Sequence, residues 1–189
     1  GYEATRYHAG LDEEERRSNQ DDFIFDRKSI MVATNAFGMG IDKSNVSYVI
    51  HYNIPKNIES YYQEAGRAGR DGTEADCILL YSPGDVRTIQ YFIEHGNDNE
   101  ELGEETREKI KEKDSERLKQ MVFYATTNDC LRAFILNYFG EKTGYYCGNC
   151  SNCLTEFEEK DITTESQKIL SCVARCREGF GQKMIIDVL

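Results

Sequence analysis

Four cysteines in the second half of the chain have the residue type and spacing of a metal site. Cys147, Cys150 and Cys153 follow one another at intervals of three, and sixteen residues separate them from Cys130. Four thiolates complete a tetrahedral shell around zinc and leave no open coordination position. The spacing therefore favours a structural zinc site, with an iron–sulfur cluster or four unligated thiols as the alternatives.

The other cysteines carry no comparable pattern. Cys172 and Cys176 lie one helical turn apart without further candidate ligands nearby, so we expect them to pack in a core. Seven cysteines, four of them at metal-ligand spacing, suit a reducing compartment better than a disulfide framework. The cytoplasm or the nucleus is the expected location.

A second group of residues is suited to binding an anion. Gln63, Arg67 and Arg70 recur at i, i+4 and i+7, so on one helix their polar ends would share a face. Gly66 and Ala68 would leave the neighbouring surface bare. Such a face is wrong for a core and right for a phosphate, and two arginines that cap the C-terminal end of a helix are the structural alternative.

A glycine-containing loop follows the apolar run at 30–33. Gly38 and Gly40 permit positive φ angles and a close approach of the backbone to a ligand. The loop lacks the third glycine of a dinucleotide fingerprint, and the chain contains no GxxxxGK[ST] motif. A tight structural turn and a ligand site remain equal interpretations of the loop alone.

Composition and charge limit the class of protein. The chain has 189 residues, 39% of them hydrophobic, which is enough for one ordinary domain and a small companion. It has no run of about 18 apolar residues and no signal-peptide features, so we expect a soluble intracellular protein whose start looks truncated. The net charge of -11 argues against a broad basic surface, so we expect a contact with nucleic acid to be focal or to be shared with regions absent from this chain.

Alternation of apolar runs and helical patterns up to about residue 81 predicts an α/β fold with a parallel sheet. The expected strands are 29–34, 46–52 and 75–81. Asp12 followed by Glu15 predicts a helix start, and Asn57 predicts another near Ile58. These units are similar to part of a doubly wound sheet, in which ligands gather at the carboxyl ends of the strands.

The second half of the chain is predicted to be helical. A domain boundary is expected between residues 84 and 98, where the composition changes. We expect helices at 85–94, in the charged stretch to about 124, then to Gly140, at 163–177 and from Gln182 onward. The mixed charges after residue 104 predict a solvated helix face.

Four features in this order carry a family resemblance: YHAGL at 7–11, ATNAFGMGIDK at 33–43, YYQEAGRAGRDG at 61–72, and the four-cysteine set. Together they resemble the RecQ family of DNA helicases, and the resemblance covers nearly the whole chain. It implies part of a second RecA-like lobe in residues 1–88, a helical zinc-binding domain in 89–156, and the start of a winged-helix domain in 157–189.

The resemblance also implies roles at an ATP site between two lobes. Gln63, Arg67 and Arg70 would face ATP and Mg²⁺ held mainly by the other lobe. Arg70 is similar to the arginine finger, which stabilises charge on the γ-phosphate, and Arg67 to a supporting phosphate or interlobe contact. Gly40 and Asp42 are similar to loop residues near the nucleotide, where a carboxylate approaches the ribose or the arginine network.

The implied activity is ATP-dependent 3′ to 5′ unwinding of DNA in repair or recombination. Thr34 resembles a residue that contacts a single-strand phosphate, and Asn35 follows it into the same loop. His8 resembles a residue beside the DNA path, although a histidine after a strand is as often structural. The implied partners are single-stranded DNA and its junction with duplex, with a single-strand-binding protein as a further candidate and no membrane.

The sequence departs from a complete helicase in one respect. It has neither a Walker A lysine nor a DExH tetrapeptide, so by itself this chain is expected not to hydrolyse ATP. A competing hypothesis is a non-catalytic, zinc-stapled module that binds DNA or protein. A translocase or remodeller that never unwinds would share the arginine motif but not the cysteine pattern.

Overall fold

The computed structural model describes residues 2–35, 37, 43–96, 103–156, 160–176, 179 and 181–189. The chain divides into two compact units, Gly1–Cys147 and Gly148–Leu189. In chain order the elements are β1 (Ala4–Tyr7), α1 (Glu13–Ile24), β2 (Ile30–Ala33), β3 (Tyr48–His51), α2 (Ile58–Ala65), β4 (Asp76–Leu79), α3 (Pro83–His95), α4 (Glu104–Thr126), α5 (Leu131–Tyr138), α6 (Ser151–Leu154), α7 (Thr163–Arg175) and α8 (Gln182–Val188).

The strands described in the first unit form two parallel pairs. β1 pairs with β2 and places Tyr7 beside Ala33, while β3 pairs with β4 and places His51 beside Leu79. A helix connects the strands of each pair, α1 in the first and α2 in the second, as parallel strands require. The three strands expected from the sequence are confirmed, each shorter by two or three residues. The first unit therefore contains part of an α/β lobe with small parallel sheets.

Side-chain caps start the two connecting helices where the sequence predicts them. The Asp12 carboxylate accepts a hydrogen bond from the Glu15 N–H at 2.7 Å at the start of α1. At the start of α2, the Asn57 side chain accepts one from the Ser60 N–H at 2.8 Å. Each contact satisfies an N–H group that the first turn of a helix leaves unpaired.

The core of the first unit lies between α2, which leads into the arginine motif, and α4. Ile58 of α2 and Met121 of α4 are 0% exposed. Tyr61 and Tyr124 are also buried, and their hydroxyl groups share a hydrogen bond at 3.3 Å. α4 is otherwise a charged helix with exposed ion pairs, as the sequence predicts. One buried stripe on this helix thus supports the helix that precedes Arg67.

We expect Ile58→Ala to lower the free energy of unfolding of the first unit by about 2–5 kcal/mol, because it leaves a cavity in a closed core. Ile58→Val removes a single methylene group and is expected to cost about 0.5–1.5 kcal/mol. Urea unfolding followed by circular dichroism measures both. Equal costs for the two variants would mean that the core collapses around the smaller side chain.

The second unit contains α6, α7 and α8 among its described residues. α7 begins after Asp161, whose carboxylate accepts a hydrogen bond from the Thr163 N–H at 2.9 Å. Hydrogen bonds from the Thr163 side chain and backbone hold the pKa of Asp161 below its ordinary value. The two helices expected at 163–177 and from Gln182 are confirmed, the first ending at Arg175. Across the described part of the chain, no helix has both the length and the apolar character that a membrane span requires.

Candidate functional site

The structure brings the four thiols of the predicted metal site together. The sulfur atoms of Cys130, Cys147, Cys150 and Cys153 all lie within 4.8 Å of one another. Tetrahedral zinc with Zn–S bonds of about 2.3 Å needs sulfur–sulfur distances of about 3.8 Å, which this cluster can adopt. Cys130 is buried and the other three are half-buried. The donors therefore fit zinc, which when bound supplies a structural cross-link and no reactive position.

The start of α5 gives one thiol a favourable environment as a ligand. Cys130 is the N-cap of this helix, and its Sγ accepts a hydrogen bond from the Ala133 N–H at 3.4 Å. The partial positive charge of a helix N-terminus favours a thiolate over a thiol. Gly148, with a φ of 66°, makes the turn that follows Cys147.

Cys172 and Cys176 are not part of this cluster. Cys172 is buried and Cys176 is half-buried. Burial raises the pKa of the Cys172 thiol, and the neighbouring Cys176 raises it further. The expected core packing is confirmed for Cys172.

The arginine motif does not lie on one helix, and that expectation is wrong. α2 ends at Ala65, and Gly66 is its C-cap. Gln63 lies in the last turn of α2 and is exposed, while Arg67 and Arg70 lie in the turn that follows. Gly66 is the sequence signal for this end, because glycine commonly terminates helices. We call residues 66–72 the arginine turn.

Backbone hydrogen bonds fix the arginine turn to the segment before β3. The Gly69 N–H donates to the Val46 carbonyl at 2.9 Å, and the Asp71 N–H donates to the Ser44 carbonyl at 3.3 Å. Gly69 has a φ of +64°, and a Cβ there would come within 2.9 Å of the Thr73 carbonyl oxygen. Only glycine fits this position without strain. The turn that carries the two arginines is therefore anchored to the segment before β3.

The carboxylate of Asp71 closes the same turn. It accepts hydrogen bonds from the Thr73 hydroxyl at 2.7 Å and from the Thr73 N–H at 3.0 Å. These contacts lower the pKa of Asp71, the side-chain hydrogen bond having the larger effect. The carboxylate therefore stays ionised and holds the turn closed at neutral pH.

The two arginines of the turn lie close enough to repel each other. Arg67 is half-buried, and its pKa is lowered first by burial and then by the charge of Arg70, while Glu64 opposes both. Arg70 is exposed, and its Nε donates to the carbonyl of Gly66, the C-cap of α2, at 3.2 Å. This contact is of the kind expected if the arginine caps the C-terminal end of the helix. An anion beside two neighbouring guanidinium groups relieves their repulsion. The arrangement is suited to a phosphate.

The expected DNA-contacting residues lie at one edge of the first strand pair. β1 and β2 are parallel, so His8 and Thr34 both follow carboxyl ends of strands. Thr34 and the following Asn35 are exposed, and the Thr34 N–H donates to the Tyr7 carbonyl at 3.1 Å. The Nδ1 atom of His8 accepts a hydrogen bond from the Gly10 N–H at 3.2 Å. That contact gives the His8 ring a structural role in its turn.

Gly40 and Asp42, the expected loop contacts with the nucleotide, lie outside the described residues. The chain is described again from Lys43, which is buried and whose Nζ contacts an Asp26 carboxylate oxygen at 2.6 Å. The hydrogen bonds from Lys43 and Asn45 lower the pKa of Asp26. The segment before β3 is thus anchored to the turn after α1.

Sequence reasoning missed one part-buried polar pair, which joins β3 to the last turn of α2. His51, at the end of β3, places its Nε2 atom 2.9 Å from a carboxylate oxygen of Glu64 in α2. The His51 ring also packs on Tyr61, with ring centroids 5.0 Å apart. No spacing in the sequence predicts this contact, because it joins a strand end to a helix face.

Three family models match successive parts of the chain. The helicase conserved C-terminal domain matches residues 1–72, the RecQ zinc-binding domain matches residues 83–154, and the RQC domain matches residues 156–189. The zinc-binding match contains all four clustered cysteines. The cluster is therefore a four-cysteine zinc site, and the iron–sulfur alternative is set aside.

Curated relatives match along almost the entire chain. The ATP-dependent DNA helicase RecQ of Bacillus subtilis is 48% identical over 98% of this chain and 30% of its own length. The enzyme of the same name from Haemophilus influenzae is 39% identical over 100% of this chain and 29% of its own. The ATP-dependent helicase SGS1 of Saccharomyces cerevisiae is 39% identical over 92% of this chain and 12% of its own.

Among solved structures, the C-terminal domain of the DEAD-box protein Dbp5 is 25% identical, with a TM-score of 0.39, over 59% of this chain and 69% of that one.

The chain spans about 30% of the length of the bacterial relatives it matches. The order of the three domain matches, the clustered zinc ligands and the identity to these relatives lead to one conclusion. This chain belongs to the RecQ family of helicases.

Proposed function

We propose that this chain is the portion of an ATP-dependent 3′ to 5′ DNA helicase that supplies one wall of the ATP site, a single-strand contact and a structural zinc. The supporting observation is the arginine turn, which backbone hydrogen bonds anchor after the end of α2 and in which the charge of Arg70 lowers the pKa of Arg67. The proposed domains are 1–88, 89–156 and 157–189. The proposed location is the cytoplasm or the nucleus, where zinc thiolates stay reduced.

In this proposal Arg70 approaches the γ-phosphate of an ATP molecule bound mainly to another lobe, and Arg67 supports it. Guanidinium groups aimed at charge that develops in the transition state stabilise it more than they stabilise the substrate. Gln63 lies one turn earlier on α2 and is exposed beside the arginine turn. It is suited to a polar contact with the same nucleotide. Magnesium is assigned to the opposite wall of the site.

The edge formed by Thr34 and Asn35 is the proposed single-strand contact. Their side chains are exposed directly after β2, and their loop leads into the segment anchored by Lys43. The Thr34 hydroxyl and the Asn35 side-chain amide can bind a phosphate without a basic patch, which suits a chain with a net charge of -11. Closure and reopening of the ATP site would move this loop relative to the bound strand.

A chimera tests the proposal, with this chain in place of the matching segment of Bacillus subtilis RecQ. We expect DNA-stimulated ATP hydrolysis by the chimera, and none above background by this chain alone or by a relative that lacks the segment. The difference in rate between the chimera and the shortened relative tests whether this chain completes the ATP site. The absence of hydrolysis by this chain alone tests whether the other wall of the site belongs to another lobe.

A folded chimera no more active than the shortened relative would reject the catalytic proposal. If this chain nevertheless bound single-stranded oligonucleotides in that case, the zinc-stapled binding module would be the better description. Melting curves and zinc content show whether the chimera is folded.

A further inference from the structure

His51 is a buried polar side chain that the proposed mechanism does not yet use. It is the last residue of β3 and is 9% exposed. Its backbone carbonyl accepts a hydrogen bond from the Leu80 N–H at 3.0 Å, and its ring packs against Tyr61 of α2. The position is therefore set by both the strand pair and the helix.

The ring is satisfied on one side only. Its Nε2 atom lies 2.9 Å from a Glu64 carboxylate oxygen, but its buried Nδ1 atom has no hydrogen-bond partner in the part of the chain that the structure describes. Burial of an unsatisfied polar atom is costly, and an apolar side chain would fill this space without that cost. A histidine at this position can make the hydrogen bond with Glu64, whereas an apolar residue cannot.

Glu64 in turn interacts with the arginine turn. It lies between Gln63 and Ala65 in the last turn of α2, and its carbonyl accepts a hydrogen bond from the Arg67 N–H at 3.3 Å. Its charge raises the pKa of Arg67 against the opposite effects of burial and Arg70. The Glu64 carboxylate is therefore a negative charge that acts on Arg67.

We propose that His51 is a positioning residue of the ATP site, which fixes the Glu64 carboxylate at the end of α2 and thereby positions Arg67 in the turn that follows. This inference rests on the proposed function. Without the histidine, the half-exposed Glu64 carboxylate loses the contact that fixes its orientation. A misplaced guanidinium then weakens the stabilisation of the transition state more than the binding of ATP.

The experiment compares His51→Leu and His51→Gln in the chimera with Bacillus subtilis RecQ. Leucine fills the space without a donor, whereas the glutamine amide can still donate to Glu64. We expect His51→Leu to lower kcat for DNA-stimulated ATP hydrolysis by about tenfold, equivalent to the loss of one well-placed hydrogen bond, with KM for ATP little changed. His51→Gln should recover most of the rate.

His95→Leu is the matched control, because His95 is an exposed histidine that stacks on Tyr91 of the same helix, α3. It should leave the rate unchanged. A double-mutant cycle adds Glu64→Gln: if His51 acts through Glu64, the two losses are not additive. Melting curves show whether His51→Leu is folded, and His51→Met, which also lacks a donor, replaces it in the cycle if it is not.

Normal kcat in His51→Leu, or additive losses in the cycle, would overturn the positioning role. The proposed function is tested separately by Arg70→Ala in the same chimera. If Arg70→Ala abolishes hydrolysis and His51→Leu does not slow it, only the inference about His51 fails. If Arg70→Ala has no effect, the proposed function fails as well.

Discussion

Replacing Cys150 with serine is expected to remove zinc from this chain and unfold the helical segment around residues 100–155. Serine is a poor zinc ligand, because its hydroxyl group stays protonated at neutral pH. Zinc binding to such sites contributes about 10–16 kcal/mol in small peptides, as much as the entire stability of many domains at about 5–15 kcal/mol. The loss of one of four clustered thiolates removes much of that contribution.

The effect should be visible as both metal loss and melting. If only about 5 kcal/mol were lost, the melting temperature would fall by about 10–20 °C for a chain of this size. Zinc per chain is measured by mass spectrometry of the metal, and melting by circular dichroism at the helix band. Treatment of the unmodified chain with a strong chelator should reproduce the behaviour of the variant.

Cys77→Ser is the matched control for this experiment. Cys77 is an exposed cysteine in β4 and is not part of the thiol cluster. Zinc content and melting temperature should stay unchanged in that variant. Unchanged melting and full zinc occupancy in Cys150→Ser would mean that the cluster does not hold the fold together.

Features set by neighbouring residues could be predicted from the sequence. The caps at Asp12 and Asn57 are local hydrogen bonds, and both are found where the capping pattern indicates. The four clustered cysteines could also be identified from the sequence, because metal ligands recur at characteristic spacings along the chain. Local chemistry therefore determined the helix starts and the metal site.

Contacts between distant segments could not be predicted in this way. Tyr61 and Tyr124 share a hydrogen bond although they are 63 positions apart. The contact of His51 with Glu64 likewise depends on how β3 packs against α2. The shared helical face of Gln63, Arg67 and Arg70 was wrong for another reason, because a regular spacing of polar residues does not show that the helix ends at Gly66. Periodicity cannot distinguish a helix from a helix followed by a turn.

The position of Arg70 in a turn beyond the helix end is compatible with its proposed role as an arginine finger. A side chain on a continuous helix would point along one face, but a turn anchored to Val46 and Ser44 presents its arginines beyond the helix end. The Nε atom of Arg70 is bonded to the Gly66 carbonyl, which restricts the orientation of the guanidinium plane. Such preorganisation is what an arginine finger needs, because no reorganisation is then required during reaction.

Arg70→Ala in the chimera is therefore expected to lower kcat for DNA-stimulated ATP hydrolysis by about 10³ to 10⁵, the contribution typical of an arginine finger. The thermal stability should change little, because the side chain is exposed. Steady-state kinetics over a range of ATP concentrations measures kcat and KM separately. A fall in kcat without a comparable rise in KM would locate the loss in the transition state.

Two further variants show whether the effect belongs to this guanidinium. Arg70→Lys keeps the charge but cannot reproduce the planar donor group or its bond to Gly66, so it should recover only a minor part of the rate. Arg87→Ala removes an exposed arginine from α3, which is not part of the arginine turn, and should leave hydrolysis unchanged. Because both arginine-to-alanine variants lose the same charge from an exposed position, a difference between them cannot come from net charge. Equal rates of hydrolysis in Arg70→Ala and Arg87→Ala would reject the arginine-finger role of Arg70.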